Sequence, residues 1–172
     1  MKAKPIVILV VVLLAGSVIA NAESHNSQSI YGGAIGGLTG NICALGTGWP
    51  PEPGGKVRGL IMEYFMVTDD EAIAEYVNGF VVCAGGDMNM DENGQGPVWG
   101  TFLFSKGDRV WEGTYNGQRI TDFADGSSSG YWHTEGHGRG PGLQGKTIKL
   151  DSVTIGTGID LIFVTITGNP EK

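Results

Sequence analysis

The residues whose types and spacing best suit chemistry are His133-Thr134-Glu135-Gly136-His137. On an extended strand, positions i, i+2 and i+4 project from one face, so His133, Glu135 and His137 converge there. Two imidazoles and a carboxylate at that spacing suit a divalent metal, or general acid–base work near neutral pH. The same alternation also describes the solvated face of a barrel strand, and only a further ligand from a neighbouring strand separates the two readings. A second constellation is Asp87-x-Asn89-x-Asp91-x-Asn93-Gly94, alternating oxygen donors of the kind that hold Ca²⁺ in a tight turn. It departs from the EF-hand pattern, with Glu92 where the sixth position needs glycine and Val98 where the twelfth needs glutamate. A polar loop between strands accounts for it equally.

Aromatic residues form the third candidate set. Tyr64, Trp99, Phe102, Trp111, Tyr115 and Tyr131, together with Phe104 and Trp132, cluster in segments that read as strands. They either line a ligand cavity or fill a core. Glu63, beside Tyr64 and on the same strand as Arg58, is a further candidate acid or base for a reaction inside a barrel. The chain carries no G-x-S-x-G, phosphate loop, dinucleotide fingerprint or H-E-x-x-H, so no cofactor is expected.

The elements that must position these groups follow from composition. The chain has 172 residues, 30 of them glycine, with 11 basic against 18 acidic side chains and 41% apolar residues. That is one domain with enough apolar surface for a core. The net charge of −7 argues against a nucleic-acid partner, which needs clustered Lys and Arg. Residues 1–22 read as a cleaved signal peptide: Lys2 and Lys4 precede the apolar run Ile6 to Leu14, and Ala20-Asn21-Ala22 fits the cleavage site. Its removal leaves 9 basic against 18 acidic residues, a charge of −9. A secreted or periplasmic protein is expected. No later segment is long and apolar enough for a second span, so stable membrane insertion is not expected unless the chain is an outer-membrane barrel. Export places Cys43 and Cys83 in an oxidising compartment, where a disulfide between them is the default; the alternative is two free, buried thiols, since each lies in an apolar or glycine-rich stretch.

Residues 23–56 read as one strand and a Gly/Pro-rich loop that includes Trp49-Pro50-Pro51-Glu52-Pro53-Gly54-Gly55, and they belong to a single domain with 57–172. Val57 to Val67 reads as a strand, Asp69 to Glu75 as one or two helical turns, and Tyr76 to Ala84 as a strand. Asp87 to Gly96 reads as a loop, and Asn116-Gly117 and Asp125 to Gly130 as breaks. Val98 to Phe104 and Arg109 to Tyr115 flank hairpin chemistry at Ser105-Lys106-Gly107-Asp108, Lys146 to Asp151 alternates cleanly, and Ile159 to Thr167 ends the fold. About eight short strands with turn signals between them predict an all-β fold, a small antiparallel barrel whose closure removes exposed edges.

The succession Gly94-x-Gly96-x-x-Trp99-Gly100-Thr101, Trp111-Glu112-Gly113-Thr114, Gly136-His137-Gly138-x-Gly140 and Gly145 resembles the secreted branch of the allene oxide cyclase-like barrels, from about residue 57 to about 168. Those proteins are similar to dirigent proteins and, more loosely, to lipocalin-type barrels. The resemblance implies a barrel that holds apolar or aromatic molecules and rearranges or couples them with few catalytic groups. No catalytic position is carried over from it. The expected partner is one small, neutral, hydrophobic or aromatic molecule. The alternatives are a cyclase- or isomerase-type enzyme acting in the lumen, and an outer-membrane barrel or surface-interaction protein.

Overall fold

The computed structural model describes residues 27–125, 127–155 and 158–168. The signal-peptide reading of residues 1–22 lies outside them. Among the described residues the fold is all-β: eight strands close an antiparallel barrel in which each strand pairs with its neighbours in sequence and the first pairs with the last. They are β1 (Gln28–Ala44), β2 (Lys56–Val67), β3 (Val81–Asn89), β4 (Gln95–Lys106), β5 (Arg109–Thr121), β6 (Ser128–Arg139), β7 (Thr147–Ile155) and β8 (Ile159–Gly168), with one short helix, α1 (Ala74–Val77), between β2 and β3.

Period-2 patterning sets the wall. In β7 the side chains of Ile148, Leu150, Ser152 and Thr154 are buried while the residues between them are exposed. Two glycines fix local geometry that other residues resist. Gly59, at φ +67°, sits where the β2–β3 register slips between Val57 and Leu60, and Gly107, at φ +61°, opens the two-residue turn joining β4 to β5.

The two ends of the barrel differ. At one end the β2–β3 connection folds Ile73, Tyr76, Val77 and Phe80 inward against Trp111, Leu143, Ile148 and Ile166, closing the bottom with a continuous core. At the other, Val57, Leu60, Met88, Met90 and Val98 form a smaller cluster under the long β1–β2 connection, backed by Trp49 and Trp132. The lumen lies between these two plugs.

Several inward glycines are explained by the rings beside them. A Cβ on Gly36 would stand 2.6 Å from the Tyr64 hydroxyl, one on Gly117 2.8 Å from the Trp132 indole, and one on Gly138 2.9 Å from the Trp111 ring. Gly86 and Gly136 leave room in the same way for Tyr115 and Phe102. Each aromatic reaches the bare backbone of a nearby strand, which is how a barrel this narrow accommodates so many rings.

Four sequence expectations are corrected. Asn116-Gly117 is not a turn but mid-β5, because its glycine serves the Trp132 ring. Tyr76 and Val77 belong to α1 and not to a strand, since the plug buries them. The Asp69–Glu75 helix lies later, at Ala74–Val77. The Asp87–Gly96 loop shrinks to 90–94, because β3 extends to Asn89 and β4 begins at Gln95.

The outer surface is divided. β5, β6 and β7 present charged residues, whereas β8 and β1 expose Tyr31, Ile35, Leu161 and Phe163, with the Tyr31 and Phe163 rings stacked 6.2 Å apart.

Candidate functional site

Between the plugs is a lumen cavity of about 160 Å³. Leu60, Met62, Val82, Phe102, Leu150 and Ile162 supply its apolar wall, and Tyr64, Tyr115, Trp132 and Phe104 contribute rings. It extends to Leu38, Arg119, Ser128 and Gly158, at the end opposite α1. That volume is the size of a cavity that takes one benzene-like group.

A polar network crosses the wall of this cavity. Asp160, 5% exposed, accepts hydrogen bonds from the hydroxyls of Tyr64 and Thr154, and Thr154 Oγ1 in turn accepts the Trp132 indole N–H at 2.7 Å. A buried carboxylate needs such donors, and here two hydroxyls provide them. Burial, then the charge of Asp160, then the bond itself push the Tyr64 phenol far above its ordinary pKa, so Tyr64 stays a donor. Tyr64→Phe leaves one carboxylate oxygen short of its donor in a dry site. The expected cost is roughly 1–3 kcal/mol in chemical denaturation, and a change below about 0.5 kcal/mol would show that water replaces the phenol.

Two further polar groups face the lumen from β5. Tyr115, four residues before Arg119 and on the same face, has its pKa pushed up to about 12 by burial and by the charge of Asp87. Arg119 donates from Nε to Thr121 Oγ1 at 3.1 Å, and burial lowers its pKa.

Of the aromatic candidates, Tyr64, Phe102 and Tyr115 line the cavity. Trp111, with 0% exposure, sits below it in the plug and donates its indole N–H to the Tyr76 carbonyl at 3.0 Å. Trp99 and Tyr131 point outward, 37% and 58% exposed, which corrects their assignment to the ligand site. Trp99 carries the Arg58 guanidinium 5.4 Å from its ring.

The chemical constellations separate. His133, Glu135 and His137 do share a face, as the alternation requires, but it is the outer one. His133 Nδ1 stands 2.7 Å from Asp151, His137 Nε2 3.1 Å from Glu112, and Lys149 Nζ 3.2 Å from Glu135. Each is thus part of a cross-strand pair on an exposed sheet. Asp87 Oδ1 accepts the Gly59 N–H, Asn89 accepts from Arg58, and Asp91 accepts the N–H groups of Asn93 and Gln95. Asp87 and Asn89 thus tie β3 to β2, and Asp91 fastens the β3–β4 turn, instead of converging on an ion. Among the described residues no group of His, Cys, Asp and Glu is placed to hold a metal. Glu63 also points outward, accepting from Asn41 Nδ2 at 2.5 Å, while Arg58 bonds the carbonyls of Val57 and Met88. Only Tyr64 of that trio faces the lumen.

Cys43 and Cys83 come together from β1 and β3 on the outer surface, their sulfurs 3.3 Å apart and unbonded. The cysteine spacing alone did not foretell this adjacency.

Sequence reasoning missed Asp160, Thr154 and Arg119. The signal for each was parity: Arg119 falls on the same count of two as Trp111 and Tyr115, and Asp160 on that of Ile162 and Val164. Compared with known proteins, the chain matches no protein-family model, no curated sequence and no solved structure.

Proposed function

We infer that this is an exported β-barrel that binds one small molecule with a hydrophobic or aromatic body in its lumen. The observation that carries the reading is the apolar, ring-lined cavity of about 160 Å³ between the two plugs. Cavities of that size and lining take up apolar groups because burial removes both surfaces from water. The charged outer face of β5–β7, with Glu112, Glu135, Lys149 and Asp151, argues against a lipid-facing girdle around the whole barrel. Export rests on the sequence of residues 1–22.

The test uses the intrinsic fluorescence of Trp132, whose indole is on the cavity wall. Single-ring apolar probes are expected to change the emission with Kd below about 100 μM, a level that one buried ring and its van der Waals contacts support. No binding by any such probe would sink the reading. Native mass spectrometry of the protein purified from its own host then identifies what it carries.

A second reading, an isomerase or cyclase, is favoured by the Tyr64–Asp160 pair beside the cavity, a phenol and a carboxylate able to act as acid and base. It predicts that a bound molecule is recovered altered, whereas a carrier returns it unchanged.

A further inference from the structure

Arg119 stands in an unusual setting for a cation. It faces inward from β5, and its register partners on both sides are glycines, Gly96 on β4 and Gly130 on β6. The residue two before it on the same face, Gly117, is also a glycine. The guanidinium therefore projects from a stretch of wall that has few side chains, with the Trp132 indole lying over Gly117 and Gly130 beside it. Its Nε is satisfied by Thr121, yet among the described residues no hydrogen bond or ion pair engages its two terminal nitrogens. The side chain is half-buried and its terminal nitrogens border open space, so they are free to meet a ligand's anionic group.

The carboxylate within the lumen does not serve it. Asp160 is three strands further round the wall, since Arg119 aligns with Gly130, Gly130 with Thr154, and Thr154 with Asp160. At the usual strand spacing that is on the order of 14 Å along the sheet. Asp160 is also already supplied with donors by Tyr64 and Thr154. What the lumen contains is a planar fork of N–H donors, beside an indole face and above an apolar pocket.

We propose that the lumen ligand is a small monocarboxylate, its carboxylate held by the Arg119 guanidinium and its aromatic or branched apolar body lying against Trp132, Phe102 and Leu150. Guanidinium and carboxylate match as two parallel N–H···O bonds, and beside an apolar wall such a pair outweighs the same contact in bulk solvent. Tyr115, held as a phenol by its raised pKa, offers a donor further along the same face. This departs from the sequence-based expectation of a neutral ligand, which rests on the few bases in the strands and on a net negative charge that repels carboxylates. One inward-facing base is enough. The negative exterior slows the entry of an anion without altering the bound contacts.

This proposal rests on the reading of the lumen as a binding site, and the experiment keeps the two apart. Isothermal titration calorimetry on the purified protein compares 3-phenylpropionate with its neutral isostere 3-phenylpropanol, for the wild type and for Arg119→Gln and Arg119→Lys. The acid is expected to bind the wild type about tenfold or more tightly than the alcohol, the ratio that one charge-assisted pair supplies. Arg119→Gln should abolish that preference while changing the alcohol's Kd by less than about threefold, and Arg119→Lys should keep part of it. Equal binding of acid and alcohol by the wild type overturns the proposal and leaves the lumen reading standing, and so does a preference that survives Arg119→Gln. Binding of neither compound overturns both. The wild-type ratio alone decides the matter should Arg119→Gln fail to fold.

Discussion

Trp111→Ala is expected to lower the unfolding free energy by roughly 3–5 kcal/mol in a urea titration, the range seen when a fully buried Trp is truncated. The ring has 0% exposure and belongs to the core that closes the α1 end of the barrel. It rests over Gly138, where a Cβ would stand 2.9 Å from the ring, so the facing position has no side chain to fill the space. Its indole N–H also ties β5 to the α1 segment through the Tyr76 carbonyl. Removing the ring therefore creates a cavity and leaves a buried acceptor without its donor, two costs that add. Trp111→Phe separates them: it restores most of the volume and leaves chiefly the lost hydrogen bond, about 1–3 kcal/mol. An Ala variant less than about 1 kcal/mol below the wild type, with an unchanged denaturant slope, would mean that water or α1 fills the space. Trp99, half-exposed on the outer face, should prove far less sensitive than Trp111, although each follows a valine and precedes a Gly-Thr step in similar local sequences.

That pair shows what could be read in the sequence and what could not. Val98-Trp99-Gly100-Thr101-Phe102 and Val110-Trp111-Glu112-Gly113-Thr114 look alike, and both are strands of one hairpin. Their tryptophans nonetheless lie on opposite faces, because Leu103, paired with Glu112, points out while Phe104, paired with Trp111, points in. Strand positions are fixed by turn chemistry and alternation, so β7 and the Gly107 turn were legible. Facing is fixed by the parity of the whole wall, and where both faces are apolar the alternation is silent. In β8, Ile159, Leu161 and Phe163 point outward, while Asp160 shares the inner face with Ile162 and Val164. A lone acid between two large apolar residues reads locally as the exposed one, and the closed barrel reverses that reading. The same inversion hid Arg119, which faces in while Ile120 faces out. Glycines misled for a related reason: Gly117 marks a turn by composition, but its role is to make room for Trp132.

On the proposed export of the chain, Cys43 and Cys83 are expected to be joined, and reduction of that bond should remove roughly 3–4 kcal/mol of stability in the chain-entropy view, since the loop it closes spans 40 residues. The sulfurs are 3.3 Å apart, and a covalent bond needs about 2.05 Å, so a small side-chain and backbone adjustment must bring them closer by somewhat more than an ångström. β1 has the freedom to do so. Its pairing with β2 slips twice, between Leu38 and Ile42 and again between Ile42 and Ala44, so Cys43 rides on an irregular arm instead of a regular ladder. Cys83, by contrast, is held in register with both Glu63 and Leu103. The bridge would pin the loose end of β1 across β2 onto β3, restraining the arm that leads into the long β1–β2 connection over the cavity's upper cluster. For a mature chain of this length the thermal midpoint should fall by about 10 °C on reduction. Cys43→Ser should reproduce the fall and become indifferent to reductant. Peptide mapping without reductant should recover the two cysteines in one linked fragment. Both thiols free in freshly exported material, or a midpoint that dithiothreitol does not move, would leave the β1 arm held by backbone pairing and by the bonds of Thr39 and Asn41 to Glu63.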